Sequence, residues 1–253
     1  MKVSVNLLGI QKIDLIPLNS HKFAKSIFKN NFYNVASVVG TMGCGKTSFI
    51  NSIFTAVSPS RKPLQMMLAM NTNAHVTATF DFAPLSVVSK EFRLILVNTP
   101  GIPNDFDSES ETSKKYLQNI INGTYGDGAP IGTVRDDGHV EIDIEKEVKK
   151  VTGIKKNKLA ASSSVIYVIQ GSLEEDALRA AIVAAVDQIT AMNPQNKVIV
   201  FTHKDELKLT EKEIINICVD SNLGDNENIF FVKNNFDSGI RDPETDFTCL
   251  ELL

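Results

Sequence analysis

Eight consecutive residues, Gly40-Thr41-Met42-Gly43-Cys44-Gly45-Lys46-Thr47, satisfy the pattern G-x-x-x-x-G-K-[ST] at every fixed position. Glycines so spaced let successive backbone N–H groups turn inward around phosphate oxygens, where a Cβ would collide. A helix starting at the end of the loop adds unpaired N–H groups and the positive end of its dipole. Lys46 is the charge that reaches the β- and γ-phosphates, a catalytic role, and the Thr47 hydroxyl is a Mg²⁺ ligand. The expected phosphate-binding residues are Met42, Gly43, Cys44, Gly45, Lys46, Thr47 and Ser48.

Two further motifs stand where chemistry is needed. Asn98-Thr99-Pro100-Gly101 ends an apolar run, and Gly101 is placed to offer its N–H to a γ-phosphate, so that the next segment orders or collapses with hydrolysis. Thr202-His203-Lys204-Asp205 ends another. An aspartate carboxylate there can accept two parallel hydrogen bonds from guanine N1–H and N2–H₂, and the Lys204 stem can lie along the purine face. Thr202, Lys204 and Asp205 are the expected base-reading residues, with Asn234 and Asn235 following one more strand.

The elements that must position these motifs are legible from their periodicity. Residues 32–39 are β-branched and apolar enough for a buried strand, and Phe49, Ile50, Ile53 and Phe54 make a helical stripe directly after the loop. Residues 76–82 alternate like a strand with one wet face, and 92–97, 162–171, 197–201 and 228–232 read as further strands. Helices are expected over 173–192, from Thr210 as N-cap, and over 243–253. Strands alternating with helices imply a mostly parallel sheet covered on both faces, with ligands at the carboxyl ends of its strands.

Two segments fall outside this rhythm. Residues 1–31 form a lead-in, with short strands or an arm and a Lys/Phe/Ile stretch at helical spacing. Residues 102–161 place about sixty residues between two strands, where a crossover needs roughly a dozen. They are expected to form an insertion bearing a helix near 113–121, a glycine-rich turn at 122–128 and lysines at 149, 150, 155, 156 and 158 that form a solvated face.

Composition narrows the classes. With 253 residues and a net charge of −4, the chain is large enough for one elaborated α/β domain and lacks the basic surface of a general nucleic-acid binder. Cys44, Cys218 and Cys249 are too scattered for a disulfide framework or a zinc site, which indicates a reducing compartment. No apolar run approaches the ~20 residues of a membrane span.

Taken in order, the three motifs resemble the translation-factor-related class of P-loop GTPases, including the septin-like immune GTPases, in which Asn-Lys-x-Asp becomes Thr-x-x-Asp. Tyr116-Leu117-Gln118-Asn119-Ile120-Ile121-Asn122-Gly123, Phe201-Thr202-His203-Lys204-Asp205, and Val232-Lys233-Asn234-Asn235 followed by Asp242-Pro243 are similar to the interferon-induced protein 44 family, over residues 35–253. The resemblance implies a three-layer Ras-like G domain over 32–253 and a cytoplasmic protein that binds GTP or GDP with Mg²⁺ in innate immune responses. It also implies GTP-dependent self-association, as related septin-like members pair across the nucleotide face. It makes Asn98 a metal-site residue, holding Mg²⁺ through water where the superfamily has Asp, and Thr77 the switch threonine at the metal and the reacting phosphate, with Thr72 and Thr79 as alternatives.

Asn98 removes a negative charge from the metal site, worth ~4 kcal/mol for a unit pair at 4 Å and an effective dielectric near 20. Ile102 stands where Ras-like members have the water-orienting glutamine, which an aliphatic side chain cannot replace. The expected activity is therefore a slow GTPase acting as a switch or assembly. The alternative is a non-hydrolysing, nucleotide-dependent scaffold that meets a protein partner through the insertion.

Overall fold

The computed structural model describes residues 13–14, 34–58, 79–87, 93–103, 105–126, 128–134, 140–154, 161–233 and 242–252. The lead-in apart from residues 13–14, the threonines Thr72 and Thr77, Asn234 and Asn235, and Lys155, Lys156 and Lys158 lie outside the described residues.

Strands β1 (Ile13–Asp14), β2 (Asn34–Val39), β3 (Thr79–Val87), β4 (Arg93–Asn98), β8 (Ser164–Gln170), β9 (Asn196–Thr202) and β10 (Ile229–Phe231) lie in the order β1-β3-β4-β2-β8-β9-β10. β2 is central, parallel to β4 through Val35↔Ile95 and to β8 through Val38↔Ile166. β9 and β10 extend the parallel array, whereas β3 runs antiparallel to β4 and β1 antiparallel to β3.

Side chains alternate across this sheet, and both faces are dry. Val35, Val39, Ile95, Val97, Val165, Tyr167, Ile169, Ile199 and Phe201 enter one core; Ala36, Val38, Leu94, Leu96, Ile166, Val168 and Val200 enter the other. Strands buried on both faces read as continuous apolar runs because they have no wet side to alternate with. Helix α1 (Lys46–Ala56) covers the second face with α6 (Pro243–Leu252). Helices α2 (Glu111–Ile121), α3 (Ile144–Lys150), α4 (Glu175–Met192) and α5 (Glu211–Asp220) contribute to the first. The architecture is thus the expected three-layer α/β fold with a mostly parallel sheet.

Element boundaries differ from expectation where local chemistry decides them. β3 continues through Pro84 to Val87. β5 pairs only with Thr79 and Phe80 and β1 only with Ser86 and Val87, so at Pro84 the strand has β4 as its one paired neighbour among the described residues, the edge-like position at which proline is tolerated. α4 begins at Glu175 with Glu175 and Asp176 at the positive end of its dipole. α5 carries the complete capping box: Thr210 Oγ1 accepts from Glu213 N–H (3.3 Å) and Glu213 Oε2 accepts from Thr210 N–H (2.8 Å).

The 102–161 segment is built into the first core. Tyr116, Leu117 and Ile120 of α2 and Val148 of α3 are buried there, and Tyr125 stacks on Phe80 with ring centroids 4.5 Å apart. Short strands β5 (Ala129–Pro130), β6 (Thr133–Val134) and β7 (Val140–Glu141) fill the interval, β5 pairing with β3. Glu147 is buried and accepts from Gly132 N–H (3.0 Å) and Lys150 Nζ (2.6 Å). Lys149 pairs with Glu145 at the surface. Among the described residues, no helix is long and apolar enough to cross a membrane.

Candidate functional site

The loop between β2 and α1 turns back on itself at two positive-φ glycines, Gly43 (71°) and Gly45 (91°), a conformation that side chains with a Cβ rarely adopt. Gly45 is the N-cap of α1, which has no side-chain cap and no acidic residue in its first turn. The first N–H groups of a helix have no intrahelical acceptor, and together with the positive end of the dipole they favour an anion at this end of α1.

Lys46 is only 6% exposed. Its Nζ donates to the carbonyls of Gly40 (3.1 Å) and Thr41 (2.8 Å) and lies 3.8 Å from Cys44 Sγ. Among the described residues no carboxylate neutralises it. A buried ammonium resting on two peptide carbonyls and a thiol sulfur, with no carboxylate among the described residues, is an unbalanced charge that an incoming anion would balance.

The end of β4 closes on the same loop. Met42 N–H donates to the Ile102 carbonyl (3.2 Å) and Ile102 N–H to the Gly40 carbonyl (3.0 Å), a short parallel bridge. Gly101 lies so near that a Cβ there would meet Met42 Cα at 2.7 Å. Any other residue would push this segment off the loop. Ile102 is fully buried in the first core, away from any role in handling water.

Asn98 is 1% exposed, and its Nδ2 donates to Thr47 Oγ1 (3.1 Å). Its Oδ1 is buried with no hydrogen-bond partner among the described residues. The orphaned amide oxygen of Asn98, whose Nδ2 meets the Thr47 hydroxyl, and that hydroxyl itself make an all-oxygen donor set. It fits Mg²⁺, which takes one or two protein ligands and completes its shell with water and phosphate. Among the described residues no three His, Cys, Asp or Glu side chains cluster as a self-sufficient metal site.

The end of β9 joins from the other side. Thr202, expected among the base-reading residues, is fully buried, and its hydroxyl donates to the Cys44 carbonyl at 2.8 Å inside the phosphate loop. Its side chain therefore ties the two halves of the site together. A 3-10 turn (Lys204–Glu206) follows His203, which adopts a left-handed φ of 56°. Lys204 Nζ bridges Glu211 (2.8 Å) and Glu244 (2.7 Å). Partial burial works against its charge, but the two carboxylates outweigh that and hold its pKa above the ordinary lysine value. Asp205 is exposed, and its Oδ2 lies 3.2 Å from Lys233 Nζ at the end of β10.

The structure therefore gathers the phosphate loop, residues 98–102 and residues 202–205 at one edge of the sheet. Thr79, the alternative to Thr77, is half-buried in β3 and donates to Asp81 Oδ1 (2.9 Å). Sequence reasoning misses the clamp of Lys204 by Glu211 and Glu244, and the Asp205–Lys233 pair. Their partners come from different elements, and only the placement of Lys233 directly after a strand marks it.

No protein-family model matches the sequence, and no curated protein matches it. Three solved structures give distant likenesses. A GTP-binding protein from the hyperthermophilic archaeon Sulfolobus solfataricus in complex with GDP is 11% identical, over 84% of this chain and 49% of that one, with a TM-score of 0.41. A complex of SsGBP with GDP is 12% identical over 91% and 53%, with a TM-score of 0.45. A mutation variant of SsGBP is 13% identical over 91% and 58%, with a TM-score of 0.44. The chain spans about half the length of the solved structures it matches. At such distances the likeness carries no functional argument, which rests on the site itself.

Proposed function

We propose that this chain binds a guanine nucleotide with Mg²⁺ and hydrolyses GTP slowly to GDP and phosphate, as a nucleotide-controlled switch or assembly. The observation that carries the reading is Lys46: a buried ammonium with no acidic partner among the described residues, inside a loop whose N–H groups and uncapped helix all favour an anion. A triphosphate supplies that anion. Lys46 then exchanges the Gly40 and Thr41 carbonyls for phosphate oxygens.

Water attacks the γ-phosphorus and GDP leaves. The chain contributes positioning and charge neutralisation rather than a side-chain base, through Lys46, the helix N-terminus and the Gly101 N–H. Thr47 Oγ1 and Asn98 Oδ1 are the groups that would hold Mg²⁺, directly and through water respectively. The metal would supply charge stabilisation at the β- and γ-oxygens. Asp205 selects guanine over adenine, and Thr202 holds the phosphate loop at a fixed distance from the base-reading loop. Thr77, Asn234 and Asn235 remain proposed contacts to the metal, the phosphates and the base. Self-association across the nucleotide face, a protein partner on the 102–161 segment, a cytoplasmic setting and an immune-type role accompany this reading through the family resemblance.

The second reading, a nucleotide-dependent scaffold without hydrolysis, is favoured by Ile102, whose side chain is fully buried and whose backbone is bonded to the loop. A single-turnover assay with radiolabelled GTP, at low and raised protein concentration, separates the two. Phosphate release that rises with concentration supports a GTPase completed by a second copy. Binding without release at any concentration leaves the scaffold.

A further inference from the structure

The pairing of Asp205 with Lys233 has no stability role to explain it. Both side chains are nearly half exposed, 45% and 46%, and pairs of that kind contribute little to folding. Yet the backbone beneath Lys233 is firmly set. Lys233 N–H donates to Thr245 Oγ1 (3.3 Å), and its carbonyl lies 3.0 Å from the same hydroxyl, on a residue 2% exposed at the start of α6. Lys204 N–H donates to the Val232 carbonyl (3.2 Å), fixing the loop after β9 to the end of β10. The other cation of the motif, Lys204, is turned away to Glu211 and Glu244. Among the described residues, Asp205 therefore has one cation beside it, held at a defined place.

Guanine offers three groups in a row along one edge: the O6 acceptor, the N1–H donor and the N2–H₂ donors. A carboxylate that accepts the two donors at ordinary hydrogen-bond length leaves O6 roughly 3.5 Å from its N1-facing oxygen. An ammonium paired with that oxygen can also reach O6, which is the arrangement obtained when Oδ2, the oxygen beside Lys233, is the one that faces N1.

We propose that Asp205 and Lys233 read the guanine edge as a pair, Lys233 donating to O6 while Asp205 accepts from N1–H and N2–H₂. The inference rests on the guanine-nucleotide reading above and assigns Lys233 as a specificity-determining residue. Adenine reverses both contacts: its N6–H₂ faces the ammonium and its N1 lone pair faces the carboxylate. Discrimination then arises from two repulsive contacts as well as from lost bonds. The opposing possibility is that Lys233 merely occupies Asp205 and must be displaced by the base, which predicts the opposite sign on removing it.

The test is calorimetric binding of GTP, ATP and 6-thioguanosine triphosphate to the full chain and to its Lys233→Met and Lys233→Arg variants. The thio analogue keeps N1–H and N2–H₂ but replaces O6 with a poor acceptor. The pairing predicts that Lys233→Met weakens GTP about 5- to 20-fold, leaves the thio analogue nearly unchanged, and that Lys233→Arg retains most of the GTP affinity. Equal loss for both ligands, or GTP binding as tight as or tighter than in the unaltered chain, overturns the role of Lys233 while leaving guanine binding standing. Equal binding of GTP and ATP by the unaltered chain overturns both.

Discussion

The hydroxyl of Thr202, at the end of β9, donates to the carbonyl of Cys44 inside the phosphate loop at 2.8 Å, and both residues are fully buried. This bond couples the part of the site that would grip phosphate to the part that would read a base. Thr202→Val keeps the shape and removes the donor, leaving a buried carbonyl unsatisfied. The expected loss is about 1–3 kcal/mol of stability by chemical denaturation, together with weaker binding of GTP and GDP alike. Unchanged stability would show that the bond carries nothing.

Lys46→Ala should separate folding from binding. The ammonium rests on neutral groups, two carbonyls and the Cys44 sulfur, so its removal should leave the melting temperature of the ligand-free protein unchanged or slightly raised. The nucleotide-induced shift, which corresponds to about 2.7 kcal/mol at a hundred times Kd, should vanish. Differential scanning fluorimetry with and without GDP reads both. A retained shift would count against the loop as the phosphate site.

Asn98→Asp tests the metal reading. A carboxylate at this 1% exposed position restores the missing negative charge on the residue bonded to Thr47. Because it would act on the metal through a bound water, at more than about 4 Å and screened, the Mg²⁺ concentration needed to slow nucleotide dissociation should fall at least about tenfold. Without metal the same carboxylate loses its hydration, so the ligand-free variant should be less stable than the parent. Nucleotide dissociation measured across a Mg²⁺ titration is the readout. An unchanged Mg²⁺ requirement would place Asn98 outside the metal site.

What the sequence reveals of this site depends on how local each signal is. The phosphate loop is contiguous, and its glycines, lysine and flanking apolar runs specify strand, turn and helix within about twenty residues; Gly43 and Gly45 take the left-handed turn conformation and Lys46 begins the helix. The doubly buried strands are legible for the same reason. Thr202's tether to Cys44 is not, because nothing in a threonine's neighbours reveals a partner on another strand. Residues 102–161 read as an addition to the domain. The spacing of Tyr116, Leu117 and Ile120 marks a helix but not the surface it covers, and these side chains lie in the main core. Pro84 hides the second half of β3.

The three thiols should be silent in the native state. Cys44, Cys218 and Cys249 are all fully buried. Burial pushes the Cys218 thiol up to about 12, and burial followed by the Asp246 charge pushes Cys249 up as well. At pH 8 a thiol with a pKa of about 12 is ionised in roughly one molecule in ten thousand, and only the thiolate reacts. A colorimetric disulfide reagent at pH 8 should therefore label none quickly in the folded protein and all three after denaturation. Rapid stoichiometric labelling of a native thiol would contradict this packing.

Calorimetric titration of the purified chain with GDP, GTP and ATP in the presence of Mg²⁺, repeated with Asp205→Ala, addresses the central claim most directly. The account predicts saturable binding of both guanine nucleotides and at least about tenfold weaker binding of ATP, with that preference lost in the variant. No binding of any nucleotide, or equal affinities for GTP and ATP in the unaltered protein, would contradict it.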